Sequence, residues 1–329
     1  MIISPQNLCV YKACKNIYYN MYYITETGFF KYNFYVPNFR NDYIINFGFS
    51  CPNFEKIYEN GGNEFLQSEF KDFKYSIKNK NFDLIIEINI EKYKKAHLKI
   101  NYHTPIEEKE NLEKERENAQ KELDIFLENI AKKLSNLRIN IYSYVIKTCL
   151  SNFKQKKSLD PLTLNLNETN VLHLAYFDNL SNLVYGINFK DTYEQSLCEL
   201  FLEEFKNFKN NDKKYFTVDL YPKSSEIPQN ISSIDSVSKY SNGFVIFHLF
   251  SSGEDYLNKY ALFFVTFREY IQKHIHYVKI ILKKVAKEKG KEYNEKYKRL
   301  PNRYIEDPEN KKLAAHLFKN GIMKDLKSL

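Results

Sequence analysis

The sequence predicts an α+β fold with two related α/β domains, each a mainly antiparallel sheet packed by helices, followed by a long C-terminal helix. Three observations support this fold class. Segments rich in β-branched and aromatic residues alternate with segments of helical periodicity. The two halves of the 329-residue chain show the same order of these segments. The chain is 43% hydrophobic and 16% aromatic, which suffices to fill two cores.

The first predicted domain spans residues 1–157 and contains four strand-like segments, a short helix and a long charged helix. The short helix, Asn53–Phe70, separates the third strand from the fourth. The long helix begins near Glu107 and has apolar residues every three or four positions as far as Leu137. Ile139–Val145 follows, and its β-branched and aromatic composition favours a strand. The strand-like segments are Ile17–Ile24, Phe29–Val36, Tyr43–Phe49 and Asp83–Ile90.

The second predicted domain spans residues 158–253 and begins at a polar break, Lys154–Pro161. It repeats the order of the first domain, with strands before and after a helix at Thr192–Phe208. A three-residue motif also recurs, since Ile45-Asn46-Phe47 precedes the first short helix and Ile187-Asn188-Phe189 precedes the second. The predicted strands are Val171–Phe177, Leu183–Phe189, Tyr215–Tyr221 and Gly243–Phe250, and a polar loop is predicted at Pro222–Asn242.

The third region, residues 254–329, begins with a predicted helix, Glu254–Lys289, that contains neither Pro nor Gly. Its 36 residues (289 − 253) would measure about 54 Å at ~1.5 Å per residue. Apolar residues recur along it with the heptad spacing that is typical of helix–helix packing. This seam consists of Leu257, Tyr260, Phe264, Phe267, Ile271, His274, Val278, Ile281 and Val285.

The length of the seam predicts a partner chain, because a helix of about 54 Å extends beyond a single small sheet. Nine seam residues at ~1.5–3 kcal/mol each correspond to roughly 10–25 kcal/mol of gross burial, which is a large free energy to leave in water. We therefore expect a second protein chain with its own long helix to cover the seam. The alternative is that the seam packs wholly within this chain, for instance on the segment Glu107–Leu137.

The positive charge of the chain is concentrated at its C-terminal end. The formal net charge is +8, and residues 279–329 contain 15 Lys or Arg and 7 Asp or Glu, a difference of +8. The rest of the chain is therefore neutral. A basic block of this kind favours an acidic partner surface, such as nucleic acid, anionic lipid or an acidic protein.

No pattern of residues indicates a catalytic or metal site. His274 and His276 are two positions apart on a predicted helix, so their side chains point in different directions and are poorly placed to bind one metal ion. His97 and His103 have no Cys or acidic pair with metal-ligand spacing nearby. The sequence contains neither a phosphate-binding glycine loop nor a nucleophile-elbow motif. We therefore expect a protein that is not an enzyme and uses no cofactor.

The cysteines and the apolar runs predict a soluble intracellular protein. The five cysteines have no C-x-x-C spacing, so we expect buried free thiols in a reducing compartment. The first residues lack the pattern of a secretory signal, and no apolar run is long enough to span a bilayer. The cysteines are Cys9, Cys14, Cys51, Cys149 and Cys198.

Two nearby segments resemble one protein family. Gly243–Phe250 has the sequence GFVIFHLF, and Thr266–Ile275 has the sequence TFREYIQKHI. Together they resemble the signature region of subunit 2, the large scaffold subunit of the actin-related protein 2/3 complex. In that family a G-[YF]-[IV]-x-F-x-L-F strand precedes a helix containing T-F-R-[DE]-Y-[LI]-x-x-H-I. Phe189–Asp191, Phe201–Phe205 and Phe54–Phe65 resemble other family segments more weakly, and the order of elements agrees over nearly the whole chain.

This resemblance implies a long C-terminal helix that lies antiparallel to a long helix of the smaller subunit 4, with the seam residues at the interface. In the family the heterodimer holds the two actin-related subunits and contacts the mother filament, from which a branch is nucleated. The resemblance also implies that Ile139–Leu150 is helical. Arg268 lies beside the seam, so we expect it to have a structural role, such as pairing at the subunit contact. The residues expected to contact the actin filament are Lys279, Lys283, Lys284, Lys287, Lys296, Lys298, Arg299 and Arg303.

The resemblance implies a location in the cytoplasm and cytoskeleton, with the nucleus left open, and no membrane partner. Other functions stay open on the sequence. A nucleic-acid-binding module would use the same basic end, would bind with a steep salt dependence and would not need actin. A non-branching scaffold of a divergent complex is a second alternative. An enzyme is a third, which a pocket with converging titratable groups would favour.

Overall fold

The computed structural model shows two compact units, Pro5–Tyr142 and Ser143–Leu329. Each contains an antiparallel sheet packed by helices, so the predicted α+β fold is confirmed. The sequence placed its first domain boundary at residue 157, whereas the units divide between residues 142 and 143. The residues that the structure describes are 7–15, 22–26, 30–36, 43–78, 81–93, 106–157, 160–167, 170–212, 215–222, 239–250, 254–288 and 308–327.

The first unit has five described strands and several helices. They are α1 (Leu8–Lys15), β1 (Tyr22–Glu26), β2 (Phe30–Tyr35), β3 (Ile44–Ser50), α2 (Phe54–Ile57), α3 (Asn63–Glu69), β4 (Tyr75–Ile77), β5 (Leu84–Asn89) and the start of α4 (Ile106–Gln155). The strand order is β1-β2-β3-β5-β4, and all neighbours are antiparallel. The sequence predicted neither α1 nor β4, and residues 17–21 of the first predicted strand lie outside the described residues.

One face of the first sheet is aromatic and aliphatic and is fully buried. Phe34 lies opposite Phe47 and Tyr32 opposite Phe49 in the β2–β3 ladder, with ring centroids 5.0 and 5.3 Å apart. The alternate positions of β2 include Lys31, which is exposed. This period of two is what a half-buried antiparallel strand requires.

The predicted helix Asn53–Phe70 is interrupted by a π-helical turn, Tyr58–Gly62, between α2 and α3. Gly61 has a φ of 114°, which glycine adopts easily and other residues adopt only with strain. A Cβ at Gly62 would lie 2.6 Å from the Ile57 carbonyl oxygen. These two glycines therefore allow two short helices to join closely.

The helix α4 is 50 residues long and includes Ile139–Val145. The strand that composition favoured there is therefore wrong, and the helix that the family resemblance implied is present. Ile141 and Tyr142 are buried, and the Tyr142 hydroxyl donates a hydrogen bond to the Pro52 carbonyl at 3.1 Å. Burial along one helical face thus outweighs the weak local preference of these residues for strands.

One carboxylate holds α1 against α4. Glu128 accepts hydrogen bonds from the Lys15 ammonium at 2.6 Å and from the Tyr11 hydroxyl at 2.5 Å, and the Lys132 ammonium lies 3.3 Å away. The bonds from Lys15 and then Tyr11 lower the pKa of Glu128 to about 2. The carboxylate therefore stays ionised, which strengthens both hydrogen bonds.

The second unit contains a second five-stranded antiparallel sheet. Its elements after α4 are β6 (Leu162–Asn167), β7 (Asn170–Phe177), β8 (Leu180–Ile187), α5 (Thr192–Asp212), β9 (Phe216–Tyr221), β10 (Phe244–Leu249), α6 (Glu254–Val265), α7 (Phe267–Glu288) and α8 (Pro308–Lys327). The strand order is β6-β7-β8-β10-β9. The sequence did not predict β6 or α8, and residues 223–238 of the predicted loop lie outside the described residues.

The two sheets share one topology, which confirms the prediction of related halves. In each, three consecutive strands form a meander, a helical segment follows, and the last strand pairs with the third while the fourth takes the edge. The recurring Ile-Asn-Phe motif does not mark equivalent positions. Asn46 lies within β3 opposite Glu87, whereas Asn188 follows the end of β8. The relation between the two halves therefore lies in the order of their elements and not in the three-residue motif.

The core of the second unit is a cluster of phenylalanines between the sheet and the helices. The Phe247 ring of β10 lies 4.9 Å from Phe267 of α7 and 5.2 Å from Phe264 of α6, between ring centroids. Phe205 of α5 lies 5.5 Å from Phe267. Aromatic pairs contribute more free energy than the burial of their apolar area alone, and they prefer particular ring geometries. This cluster therefore fixes how the three helices pack on the sheet.

The predicted helix Glu254–Lys289 is two helices, α6 and α7, that meet at Thr266. The Thr266 N–H and hydroxyl both donate to the Leu262 carbonyl, at 3.1 and 2.9 Å. The Tyr270 N–H donates to the Thr266 carbonyl, so helical hydrogen bonding continues on both sides. A threonine hydroxyl bonded to the preceding turn is a known cause of helix bending. Lys289 lies outside the described residues.

Four of the five cysteines are buried and Cys9 is exposed, and all are free thiols. Burial raises the pKa of Cys14 and of Cys149 to about 12, so both stay protonated and unreactive at neutral pH. The expectation of buried free thiols therefore holds for every cysteine except Cys9.

Candidate functional site

The predicted seam on α6 and α7 is buried by this chain itself over most of its described length. Ile281 and Val285 are half-buried, and the side chain of Leu257 lies outside the described residues. The remaining six seam residues are buried, namely Tyr260, Phe264, Phe267, Ile271, His274 and Val278.

The elements that cover the seam belong to the second unit. Phe264 and Phe267 pack on Phe247 of the sheet. The His274 ring lies 5.3 Å from Phe201 of α5, and helix α8 also packs on both α5 and α7. Within this chain these six residues are therefore covered without a second protein, and the partner helix stays a prediction. The physical reason is that the sheet, α5 and α8 together extend along the helix further than the sequence suggested.

The face of α7 opposite the seam is exposed and carries two large apolar side chains. Tyr277 is 52% exposed and Ile280 is 51% exposed, and they are three positions apart, so they are neighbours on the helix surface. Ile281 and Val285 of the seam are half-buried beside them. We call Tyr277 and Ile280 the outer stripe. Large exposed apolar side chains that lie together mark an interaction surface more often than isolated ones do.

The exposed face is also strongly basic. Between Glu269 and Glu288 the sequence of α7 contains no acidic residue. The lysines of this span are Lys273, Lys279, Lys283, Lys284 and Lys287. Because positions three and four apart share a helix face, lysines flank the outer stripe at both ends.

The predicted filament-contacting residues have different environments. Lys279 forms an ion pair with Glu194 of α5 at 3.0 Å and its ammonium lies 5.5 Å from the centre of the Tyr193 ring, so its charge holds α7 to α5. Lys283 and Lys284 are exposed on α7. Lys287 lies on α7, but its side chain is outside the described residues, as are Lys296, Lys298, Arg299 and Arg303 entirely.

Arg268 has a structural role inside the second unit. Its guanidinium carbon lies 3.9 Å from the centre of the Phe189 ring, and Nη1 donates to Gln272 at 2.8 Å. Burial lowers the pKa of Arg268, but a guanidinium remains charged at neutral pH. The side chain thus joins the start of α7 to the segment between β8 and α5, as expected of a residue beside the seam.

Three polar side chains form a hydrogen-bonded row across β8, β10 and β9. His248 Nδ1 lies 2.7 Å from Asn182 Oδ1, and Nε2 lies 3.1 Å from Asp219 Oδ2. Lys206 Nζ lies 3.5 Å from the other Asp219 oxygen. Among the described hydrogen bonds, none joins His248 to a hydroxyl or thiol that could act as a nucleophile. The row therefore links three neighbouring strands.

Neither a metal site nor a membrane-spanning helix is found in the described ranges. No cluster of three or more His, Cys, Asp or Glu residues there has a geometry suited to a metal ion. None of the described helices combines the length and the apolar composition that crossing a membrane requires.

Sequence reasoning missed Tyr277 and Ile280 because they lie outside the heptad seam. Their signal was present, since both are large apolar residues that alternate with lysines on the face opposite the seam. When a helix has apolar residues on two faces, one face packs against its own domain and the other stays exposed. The structure was needed to show which face is covered.

Comparison with known protein families finds no family model that matches this chain, and comparison with curated proteins finds no matching sequence.

Proposed function

We propose that this chain is an actin-binding scaffold subunit of a complex resembling the actin-related protein 2/3 complex. In this role it pairs with a smaller subunit like subunit 4 and helps to hold the actin-related subunits. It contacts the mother filament during nucleation and branching. The role is not catalytic and needs no cofactor. It places the protein in the cytoplasm and cytoskeleton.

The observation that carries this proposal is the basic outer face of α7. Exposed Lys283 and Lys284 adjoin Tyr277 and Ile280, and no acidic residue of α7 lies between them. An acidic surface such as that of an actin filament would be attracted by the lysines and held by the apolar pair. The duplicated sheet topology supports the same role, since the family that the sequence resembles has two related α/β domains.

The filament contact is tested with the assembled complex in co-sedimentation. In the variant Lys283→Glu/Lys284→Glu we expect filament binding to weaken severalfold, because charge reversal turns attraction into repulsion. The matched control is Lys56→Glu/Lys71→Glu, which reverses two exposed lysines of the first unit. Equal binding of the test variant and wild type would show that this face does not contact actin.

The apolar pair is tested separately with Tyr277→Ser/Ile280→Ser. We expect weaker filament binding and an unchanged subunit composition after affinity purification. Ile125→Ser is the control, since Ile125 of α4 is 64% exposed and lies in the first unit. Identification of the chains that co-purify tests the complex itself, and recovery of the chain alone would contradict the scaffold role.

The same basic face also suits nucleic acid, which is the second candidate. Binding of this kind would fall steeply with salt and would occur without actin. Tight, salt-dependent binding of duplex DNA or RNA by the purified chain, together with no filament binding, would favour that function over the scaffold role.

A further inference from the structure

The second sheet has two edge strands, β6 and β9, and only β9 is sealed by a side chain of this chain. Asn210 of α5 hydrogen-bonds to both backbone groups of Val218, so the outer edge of β9 has a partner. Among the described residues, no group hydrogen-bonds to the outer edge of β6, Leu162–Asn167. A free edge presents a row of unpaired N–H and carbonyl groups with which another strand can pair.

The sequence of β6 lacks the residues that usually keep a free edge from pairing. It reads LTLNLN and contains no charged residue and no Pro. The edge strand β4 of the first sheet, in contrast, has only three residues. The register of β6 against β7 shifts between Asn165 and Asn167, so the regular part of the edge is Leu162–Asn165. This part of the edge is therefore available to a strand of another chain.

The side chains of this edge alternate between the two faces of the sheet. Leu162 and Leu164 are buried on the face that the helices cover. Thr163 and Asn165 lie on the other face, where Asn165 is exposed and the Thr163 hydroxyl lies 2.7 Å from His173 Nδ1. Opposite residues of an antiparallel pair share a face. An added strand is therefore matched best when it places apolar residues opposite the leucines and a small polar residue opposite Thr163.

The strand β6 itself meets this requirement. Around a two-fold axis beside Thr163, Leu162 lies opposite Leu164 of a second copy, and the two Thr163 residues lie opposite each other. Threonine pairs are favourable across antiparallel strands, and no like charges meet in this register. We propose that the edge of β6 is a dimerisation surface, at which a second copy of this chain pairs antiparallel and joins the two five-stranded sheets into one.

This contact ends at two copies. In a two-fold pair each β6 edge covers the other, and the opposite edge of each sheet is sealed by Asn210. A dimer and not a fibre is therefore the expected product. Because the regular edge is short, we expect a weak dimer whose population depends on concentration. The contact does not use α7, so it goes beyond the proposed function and does not compete with it.

Sedimentation velocity of the full-length chain over a range of concentrations tests the dimer. We expect reversible dimerisation of wild type. Thr163→Lys should raise the dimer dissociation constant at least tenfold, because two lysines would face each other across the axis. The matched control is Thr217→Lys, which lies on the sealed edge strand β9 and on the same face of the sheet. A monomeric wild type, or an equal effect of the two variants, overturns the proposal.

A cysteine at the axis tests the register and does not depend on the lysine variant staying folded. In a Cys9→Ser chain, which lacks the exposed native thiol, Thr163→Cys is expected to form a disulfide between two copies when diamide is added as the oxidant. Asn165→Cys is the control, because Asn165 lies two positions from the axis on each strand, too far for a disulfide. Equal cross-linking at both positions, or none with Thr163→Cys, overturns the proposal. Neither assay contains actin, so failure of the filament test leaves both unaffected.

Discussion

The two sheets have the same strand order but differ in how much of their second face is buried. In the first sheet this face carries the exposed residues Lys31 and Asn89 beside the buried residues Asn46 and Ile85. In the second sheet the equivalent face includes the buried residues Val184, Phe244 and Ile246. An antiparallel sheet needs only one covered face, so the second sheet has acquired additional cover.

Part of that cover is a tyrosine from the turn before β10. Tyr240 packs on Phe244 with ring centroids 5.1 Å apart and joins the apolar cluster of Val171, Val184 and Ile246. Gly186 makes room for this packing, since a Cβ there would lie 2.7 Å from Val171 and 3.0 Å from Tyr240. Strand order and face burial are therefore separate properties, so equal topology does not give two sheets equal tolerance to substitution.

The largest expected difference in stability is between polar substitutions on the second faces of the two sheets. Ile246→Asn should lower the free energy of unfolding by about 3 kcal/mol or more, because it removes buried apolar atoms and buries an amide. Asn33→Ser, on the second face of the first sheet, should change it by less than about 0.5 kcal/mol. Urea denaturation measures the free energy of unfolding of both variants. Similar losses of this free energy would show that the second faces of the two sheets do not differ in burial.

A buried histidine on the second sheet makes that sheet sensitive to acid. Burial lowers the pKa of His173 to about 4, whereas an unfolded histidine titrates near 6.5. The stability that comes from neutral His173 is therefore fully present above about pH 6.5. As the pH falls from about 6.5 to about 4, this stability is lost and the free energy of unfolding decreases by about 3 kcal/mol.

Urea unfolding at pH 7, 6, 5 and 4 measures this loss, with hydrogen exchange of the β7 amides as a local probe. The control is His173→Gln, which keeps a polar side chain near Thr163 without the titration. An equal loss of stability in the control between pH 6.5 and 4 would assign the effect to other groups.

A smaller effect is expected at the sheet edges. Asn210 of α5 seals the edge strand β9, because its side-chain amide donates to the Val218 carbonyl at 3.0 Å and accepts from the Val218 N–H at 2.8 Å. Asn210→Ala should lower the free energy of unfolding by about 1–3 kcal/mol, since the N–H and the carbonyl of Val218 both lose their partners. The unpaired strand edge should also promote self-association.

The edge strand β4 of the first sheet provides the comparison. It has only three residues, and Ser76→Ala there should have little effect on stability or association. Urea unfolding measures the change in stability, and analytical ultracentrifugation measures self-association. An Asn210→Ala chain that stays monomeric and fully stable would show that β9 needs no seal.

The smallest effect on stability is expected outside both sheets, on the outer stripe. Tyr277→Ser should change the free energy of unfolding by less than about 0.5 kcal/mol, because half of the side chain is already in water. Phe267→Ala on the buried face of the same helix should cost about 3–5 kcal/mol. Thermal unfolding compares the two. A large loss for Tyr277→Ser would place the outer stripe in the core instead of on a binding surface.

Several strands were predictable because their pattern is local. The alternation of β2 and the continuous apolar runs of β7 and β10 identify strands without knowledge of the fold. For Ile139–Val145 the residues alone left strand and helix open, since their composition favours a strand and only packing along α4 makes them helical. The short strand β4 has three residues, too few to show a period.

The candidate site was predictable in composition but not in geometry. The basic, acid-free sequence of α7 is visible in the chain, as is the seam from Tyr260 to Val278. Which face of the helix is covered depends on the sheet, α5 and α8, and the sequence did not predict α8. The residues that remain on the surface, Tyr277 and Ile280, follow only once that cover is known.

Residue type and local spacing are enough to predict the duplicated order of elements, the aromatic content of the cores and the basic end of the chain. Which apolar faces are hidden is visible only in the folded chain. Burial is a property of contacts between distant segments, as between Gly321 and His274, and local spacing along one helix does not specify them.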